Sequence, residues 1–168
     1  MADLTLDEAA KLADEYASRG QQKELAALRL QWDDEIEAAA RHADYRARSL
    51  AYRSIAQFRF RQKLELLRRG LDDESPAARG SALIALEGLS RDHPGDVNKF
   101  RPLLNEMAAR DANVAVRRLA IVCLKNGTAS PDSIRLLQGI ADDDEEDAEV
   151  RKTARSVATL LVKRSREK

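Results

Sequence analysis

The chain is short of the residues that crosslink or interrupt a fold. Its 168 residues include one cysteine, four prolines, seven glycines, one tryptophan, three tyrosines and three phenylalanines. A lone cysteine, Cys123, excludes a disulfide framework within the chain. Few prolines and glycines, with 43% hydrophobic and 35% charged residues, point to a folded and largely helical protein rather than a disordered one. Net charge is also lacking, because 29 basic residues balance 29 acidic ones. No global field therefore draws the protein to nucleic acid or to an anionic membrane. No apolar run approaches the roughly 18 residues of a spanning helix, and no charged, apolar, small-residue leader opens the chain. The expected compartment is the cytoplasm. Glycine-rich phosphate loops, paired helix histidines and nucleophile motifs are missing too. The expectation is a protein without catalysis, cofactor or metal.

Charge is nevertheless distributed in blocks. Residues 1–40 carry four Lys or Arg against ten Asp or Glu, whereas residues 41–69 carry nine against two. Such blocks are most simply solvated helix faces, and they also allow the acidic segment to dock on the basic one, within one chain or between two.

What is present is a recurring segment. Arg48, Arg79, Arg117 and Arg151 stand in register, each with alanine at plus three: Ala51, Ala82, Ala120 and Ala154. Bulk follows at plus four and plus seven, as Tyr52 and Ile55, Leu83 and Leu86, Ile121 and Leu124. An irregular period in the thirties, helical throughout, predicts stacked helix pairs. Cap signals place the helices. Thr5 with Glu8 makes a capping box for a first helix that Gly20 ends, and a second helix runs near 22–41. Ser75 with Pro76 and Ser130 with Pro131 read as cap followed by first-turn proline. Between Arg46 and Arg69 no glycine or proline marks a turn. That stretch reads either as one long helix or as two with a tight turn near 57–62.

These units resemble HEAT-like repeats over roughly residues 44–163. In that family an Asp in the turn precedes an Arg of the second helix by six residues, and the two form a ladder between neighbouring repeats. Asp73 with Arg79 and Asp111 with Arg117 keep this spacing, Glu145 with Arg151 keeps it in altered form, and Arg48 has only Asp44, four residues before it. The resemblance implies an all-α, right-handed α-α superhelix of about four to five hairpins. The whole chain is expected to form one domain: capping helices over 1–42, repeats over 43–163 and a basic tail over 164–168.

Isolated chemistry is weak. His42 and His93 lie beside predicted turns with no ligand spacing around them, and Cys123 stands where other units have Ser54, Ala85 and Val157, a small core position. The acidic run from Asp142 to Glu149 lacks the glycine and alternating ligands of a calcium loop. The resemblance instead implies a binding stripe on the second helices, which line the concave side in that family. If plus three, four and seven face inward, plus one, five and eight face solvent. The candidate partner-binding residues are Arg53, Ile84, Glu87, Arg118, Val122, Lys125 and Lys152, with Gly80, Ser156 and Thr159 at matching positions. Exposed Ile84 and Val122 flanked by charge suit a protein or peptide partner. The alternative is a DNA-backbone binder using Arg46, Arg53, Arg61 and Arg68, which fall within about 80° on a continuous helix, and the tail Lys163, Arg164, Arg166 and Lys168.

Overall fold

The computed structural model describes residues 3–167, so Lys168 of the basic tail lies outside the described residues. Among these residues the fold is all-helical. The helices are α1 (Leu6–Ser18), α2 (Gln22–Ala40), α3 (Tyr45–Gln57), α4 (Leu64–Leu71), α5 (Pro76–Asp92), α6 (Gly95–Arg110), α7 (Val114–Leu124), α8 (Pro131–Ala141) and α9 (Ala148–Ser165), with a 3-10 turn at Arg61–Lys63. The chain divides into two compact units, Met1–Leu89 and Ser90–Lys168.

Local chemistry sets most of the boundaries. Thr5 Oγ1 accepts from the Glu8 N–H at 3.2 Å, and Glu8 Oε2 accepts from the Thr5 N–H at 2.8 Å, closing the capping box on α1. Gly20 follows with φ +70°, a conformation that costs glycine nothing, and the chain turns. Pro76 and Pro131 open α5 and α8, where a missing N–H is harmless. Asn113 and Asp147 cap α7 and α9 by accepting from first-turn N–H groups. Only two residues separate α5 from α6, because Gly95 begins the second helix rather than ending the first.

In the first unit α2 and α3 pack as a pair behind α1, which touches both. Helix α2, within the segment expected to cap the repeats, packs against both α1 and α3. The α4–α5 hairpin follows, approaching so closely that a Cβ on Gly70 would lie 2.8 Å from that of Ala82. In the second unit α6 pairs with α7 and α8 with α9, while α6 meets α8 and α7 meets α9. Sequence-adjacent pairs, first helix on first and second on second, are the packing of a HEAT-type α-solenoid.

The register alanines are the reason these helices come so close. Ala51, Ala82, Ala120 and Ala154 are all completely buried. Tyr52, Ile55, Leu83, Leu86, Ile121 and Leu124 fill the space around them, each at most 2% exposed. Burying one such side chain contributes about 1.5–3 kcal/mol. Cys123 is fully buried, as are its register equivalents Ser54 and Ala85, which suits a small core residue.

The stretch from Arg46 to Arg69 is two helices. Helix α3 ends at Gln57, Arg59 adopts φ +51°, and the Phe60 N–H reaches back to the Ile55 carbonyl at 2.9 Å. That is the hydrogen-bond pattern glycine usually supplies at a helix end. Here an arginine occupies the left-handed position, at a cost of about 1–2 kcal/mol. Tertiary contacts hold it there. Arg29 of α2 donates to the Phe58 and Arg59 carbonyls at 2.7 and 3.0 Å, Arg59 donates to Asp14 at 2.8 Å, and Phe58 and Phe60 are buried.

Candidate functional site

The turns between paired helices carry the most ordered electrostatics of the molecule. Arg48 donates Nε and Nη2 to the two carboxylate oxygens of Asp73 at 2.8 and 3.0 Å, and both side chains are largely covered. Its Nη1 donates to the His42 and Ala43 carbonyls. In the second unit Arg117 grips Glu146 in the same way, at 3.0 and 2.8 Å, while its Nη1 donates to the Asp111 carbonyl. Arg79 likewise donates Nη1 to the Asp73 carbonyl at 2.8 Å. One fork of each arginine thus closes its own turn, and for Arg48 and Arg117 the other fork ties it to the turn of the following hairpin.

This geometry revises the spacing argument. The acid six residues upstream meets its arginine through the backbone carbonyl, which any residue supplies, so Arg48 performs the same role above His42 without an aspartate there. The carboxylate partners lie 25 and 29 residues downstream, and Glu146 rather than Glu145 is the one used. Glu146 could have been sought one repeat beyond Arg117, but the long acidic loop hides which of its seven acids arrives.

Electrostatic consequences follow. Burial works against ionisation of Asp73, yet hydrogen bonds from Arg48 and from the Ser75 N–H outweigh it and hold its pKa below the ordinary carboxylate value. Glu146 is likewise held low, chiefly by its hydrogen bond from Arg117. The Tyr52 hydroxyl lies 3.4 Å from Asp73, and burial raises its pKa, with the Asp73 charge adding to the effect.

The acidic and basic blocks of the sequence meet inside the first unit. Lys63, 8% exposed, donates to Asp33 at 2.5 Å and Glu37 at 2.8 Å, both on α2, and its ammonium sits 4.9 Å from the Phe60 ring centre. Burial disfavours its charge, but the two carboxylates raise its pKa overall. With Asp14 taking Arg59, the blocks dock within one chain. Nothing in the sequence singled out Lys63, because its partners lie on a helix 26 residues away.

The stripe of second-helix residues is only partly exposed. Arg53, Ile84, Arg118 and Lys152 are exposed, whereas Val122 and Lys125 are half-buried and Gly80 and Glu87 are buried. Position plus eight explains Glu87. It lies about 80° from the register arginine, and in α3 the same position, Ala56, meets the place where a Cβ on Gly88 of the next hairpin would sit, 3.8 Å away. Plus eight is a stacking position. Plus five is the solvent column: Arg53, Ile84 and Ser156 are open, and Val122 is half-covered.

The arginines proposed for nucleic acid do not share one helix. Arg46 and Arg53 lie on α3, Arg61 in the 3-10 turn and Arg68 on α4, so the continuous stripe is absent. Arg46 pairs with Asp44, and Arg68 with Glu65. His42 accepts from the Asp44 N–H through Nδ1 at 2.9 Å, a turn contact. No group of three or more His, Cys, Asp or Glu suited to a metal ion occurs among the described residues, and none of their helices is long and apolar enough to cross a membrane. In the acidic run, Glu146 serves Arg117 and Asp147 caps α9, while residues 142–145 face solvent.

Comparison with known proteins agrees with this arrangement. Residues 33–107 match the family model described as HEAT repeats, which begins within α2, the first helix of the first pair. No curated protein and no solved structure matches the chain. HEAT repeats are commonly protein-interaction scaffolds and are generally non-catalytic. Paired helices, buried register alanines and this match together support HEAT-like repeats in the chain, with the match itself confined to residues 33–107.

Proposed function

We propose that the protein is a non-catalytic adaptor in the cytoplasm, holding a protein or peptide partner against the solvent column of its second helices. One observation carries the proposal. Ile84 is 51% exposed although every neighbour from Ser81 to Glu87 is buried. A lone aliphatic left open in the middle of an otherwise covered helix is the kind of anchor that interfaces use, with a charged rim. In the first unit Arg53 supplies such charge on α3. In the second, Val122 on α7 is accompanied by Arg118 and Lys125, and α9 adds Lys152. Glu87 acts as a supporting residue in this reading, since it is buried. A single, buried cysteine suits a reducing compartment.

The test replaces Ile84 and Val122 by aspartate, singly and together. A native-lysate pull-down read by mass spectrometry should lose its specific partner with the double variant, while far-UV circular dichroism and thermal midpoint stay near those of the parent. Undiminished capture by a folded double variant would remove the site.

A further inference from the structure

The second unit holds a cleft of about 430 Å³ whose lining carries two cations and, among the described residues, no Asp or Glu. Arg91 near the end of α5 and Arg164 near the end of α9 supply the charge, and Pro94 and Ala129 add apolar surface. The volume falls in the range of about 300–1,000 Å³ in which small ligands bind. Its walls are tied together. Asn126 Nδ2 donates to the buried Ser90 Oγ at 2.9 Å. Past the end of α7, Asn98 donates Nδ2 to Thr128 Oγ1 at 2.8 Å and accepts from the Thr128 N–H at 2.9 Å. Gly127 presses so near α6 that a Cβ there would stand 2.8 Å from Val97 Cγ1.

Arg164 is fixed by half of its guanidinium. Its Nη1 donates to the Lys125 and Gly127 carbonyls at 2.8 and 2.7 Å, a cation answering the open carbonyls at the end of α7. Nε and Nη2, the pair that Arg48 and Arg117 each aim at a carboxylate, make no hydrogen bond among the described residues, although the side chain is half-buried. Closing α7 accounts for the first nitrogen and leaves the other two without a task. Two guanidiniums bordering one cleft, with no acid in its lining, favour an anion there.

We propose that this cleft binds a phosphate monoester. Two of its oxygens accept from Arg164 Nε and Nη2, the third faces Arg91, and the esterified group rests on Pro94 and Ala129. An arginine fork meets an oxyanion through two parallel hydrogen bonds, which a lysine ammonium cannot do. At neutral pH a monoester carries a charge of about −1.5 to −2 and three strong acceptor oxygens. That is enough to engage both arginines, whereas a carboxylate satisfies one. Free small molecules and phosphorylated protein side chains present the same group, and the choice of probe separates them. No lining residue belongs to the second-helix stripe, so the site does not rest on the adaptor reading.

The experiment titrates the full, isotope-labelled chain with phenyl phosphate and, separately, with a short peptide bearing one phosphoserine. Amide shift changes should saturate and map to Ser90, Arg91, Gly127 and Thr128. A peptide that binds more tightly than phenyl phosphate assigns a protein-borne phosphate, and one that binds no more tightly assigns a free small molecule. Arg164→Lys keeps the charge and a donor for the α7 carbonyls but loses the fork, so it should weaken binding about tenfold. Arg91→Gln, at an exposed position, should weaken it by a similar factor and keeps the test readable if Arg164→Lys loosens the fold. Arg166→Gln, at an exposed position on the same helix and outside the lining, should bind as the parent does. Absence of saturable shifts with both probes, shifts mapping elsewhere, benzoate binding as well as phenyl phosphate, parent-like binding by Arg164→Lys and Arg91→Gln, or an equal loss in Arg166→Gln would each overturn the proposal.

Discussion

Replacing Gly70 by alanine sets helix propensity against packing, and the geometry decides which dominates. Alanine in a helix interior is favoured over glycine by about 0.8–1.0 kcal/mol. The new Cβ, however, would stand 2.8 Å from Ala82 Cβ and 3.0 Å from Tyr52 Cζ. Carbon atoms rest at about 3.5–4.0 Å, so α4 must withdraw by roughly 1 Å from two neighbours at once. Neither neighbour yields. Ala82 Cβ is fixed to the α5 backbone, and Tyr52 is 1% exposed with its hydroxyl against Asp73. Overpacking of this kind costs about 1–3 kcal/mol, which leaves a net loss of about 1–2 kcal/mol after the propensity gain. Urea unfolding should show a lower midpoint with an unchanged slope, and thermal unfolding a fall of about 2–8 °C. Two glycines serve as controls. Nothing lies within 4 Å of a Cβ on Gly139 in α8, and a Cβ on Gly88 meets only Ala56 at 3.8 Å. Alanine at either should stabilise by about 0.5–1 kcal/mol. Adding Ala82→Gly to the Gly70→Ala chain should restore part of the loss, giving a coupling in a double-mutant cycle. If Gly70→Ala proves as stable as the parent, or shifts the midpoint in the same direction as Gly139→Ala, the close-packing argument is wrong.

The ladder makes further predictions. Asp73→Ala leaves the half-buried Arg48 guanidinium without its carboxylate acceptor and should cost about 1–3 kcal/mol by guanidinium unfolding, whereas Asp72→Ala, at an exposed neighbour, should change stability by less than about 0.5 kcal/mol. Asp73 and Glu146 have folded-state pKa values below their unfolded ones, so their stabilisation is complete above the unfolded carboxylate value of about 4 and disappears as pH falls through the folded value. Thermal midpoints should therefore drop steeply in acid, and Asp73→Asn with Glu146→Gln should flatten that slope; an unaltered slope would place the acid sensitivity elsewhere. Cys123, fully buried, should react with a thiol reagent only through opening of the second unit, so its modification rate should climb with sub-denaturing urea. Rapid labelling in native buffer would contradict its core position.

Much of the fold is written in local patterns. The Thr5 and Glu8 capping box, Gly20 after α1, and the prolines at the starts of α5 and α8 act over a few residues, so their chemistry is visible without a partner. The periodic alanines and aliphatics also announce their burial, because a helix turns by a constant angle and places them on one side. The candidate surface was only half legible for the same reason. Angle alone put Ile84, Glu87 and Gly80 toward solvent together, but a helix flanked by others is covered over more than one face, and only Ile84 stays open among them. Which carboxylate joins which arginine was not legible either, since the pairing spans a whole hairpin and the loop lengths set its register.

By itself the sequence determined helical hairpins with a small-residue seam, because cap chemistry and a repeating period need no distant contact to be expressed. Only the tertiary structure decided where α3 stops: Arg59 enters a backbone region that its own side chain disfavours, and it stays there because Arg29, Asp14 and two buried phenylalanines compensate. The tertiary structure likewise decided which acid Arg48 and Arg117 receive, as such pairings depend on the stacking of neighbouring hairpins and have no local signature.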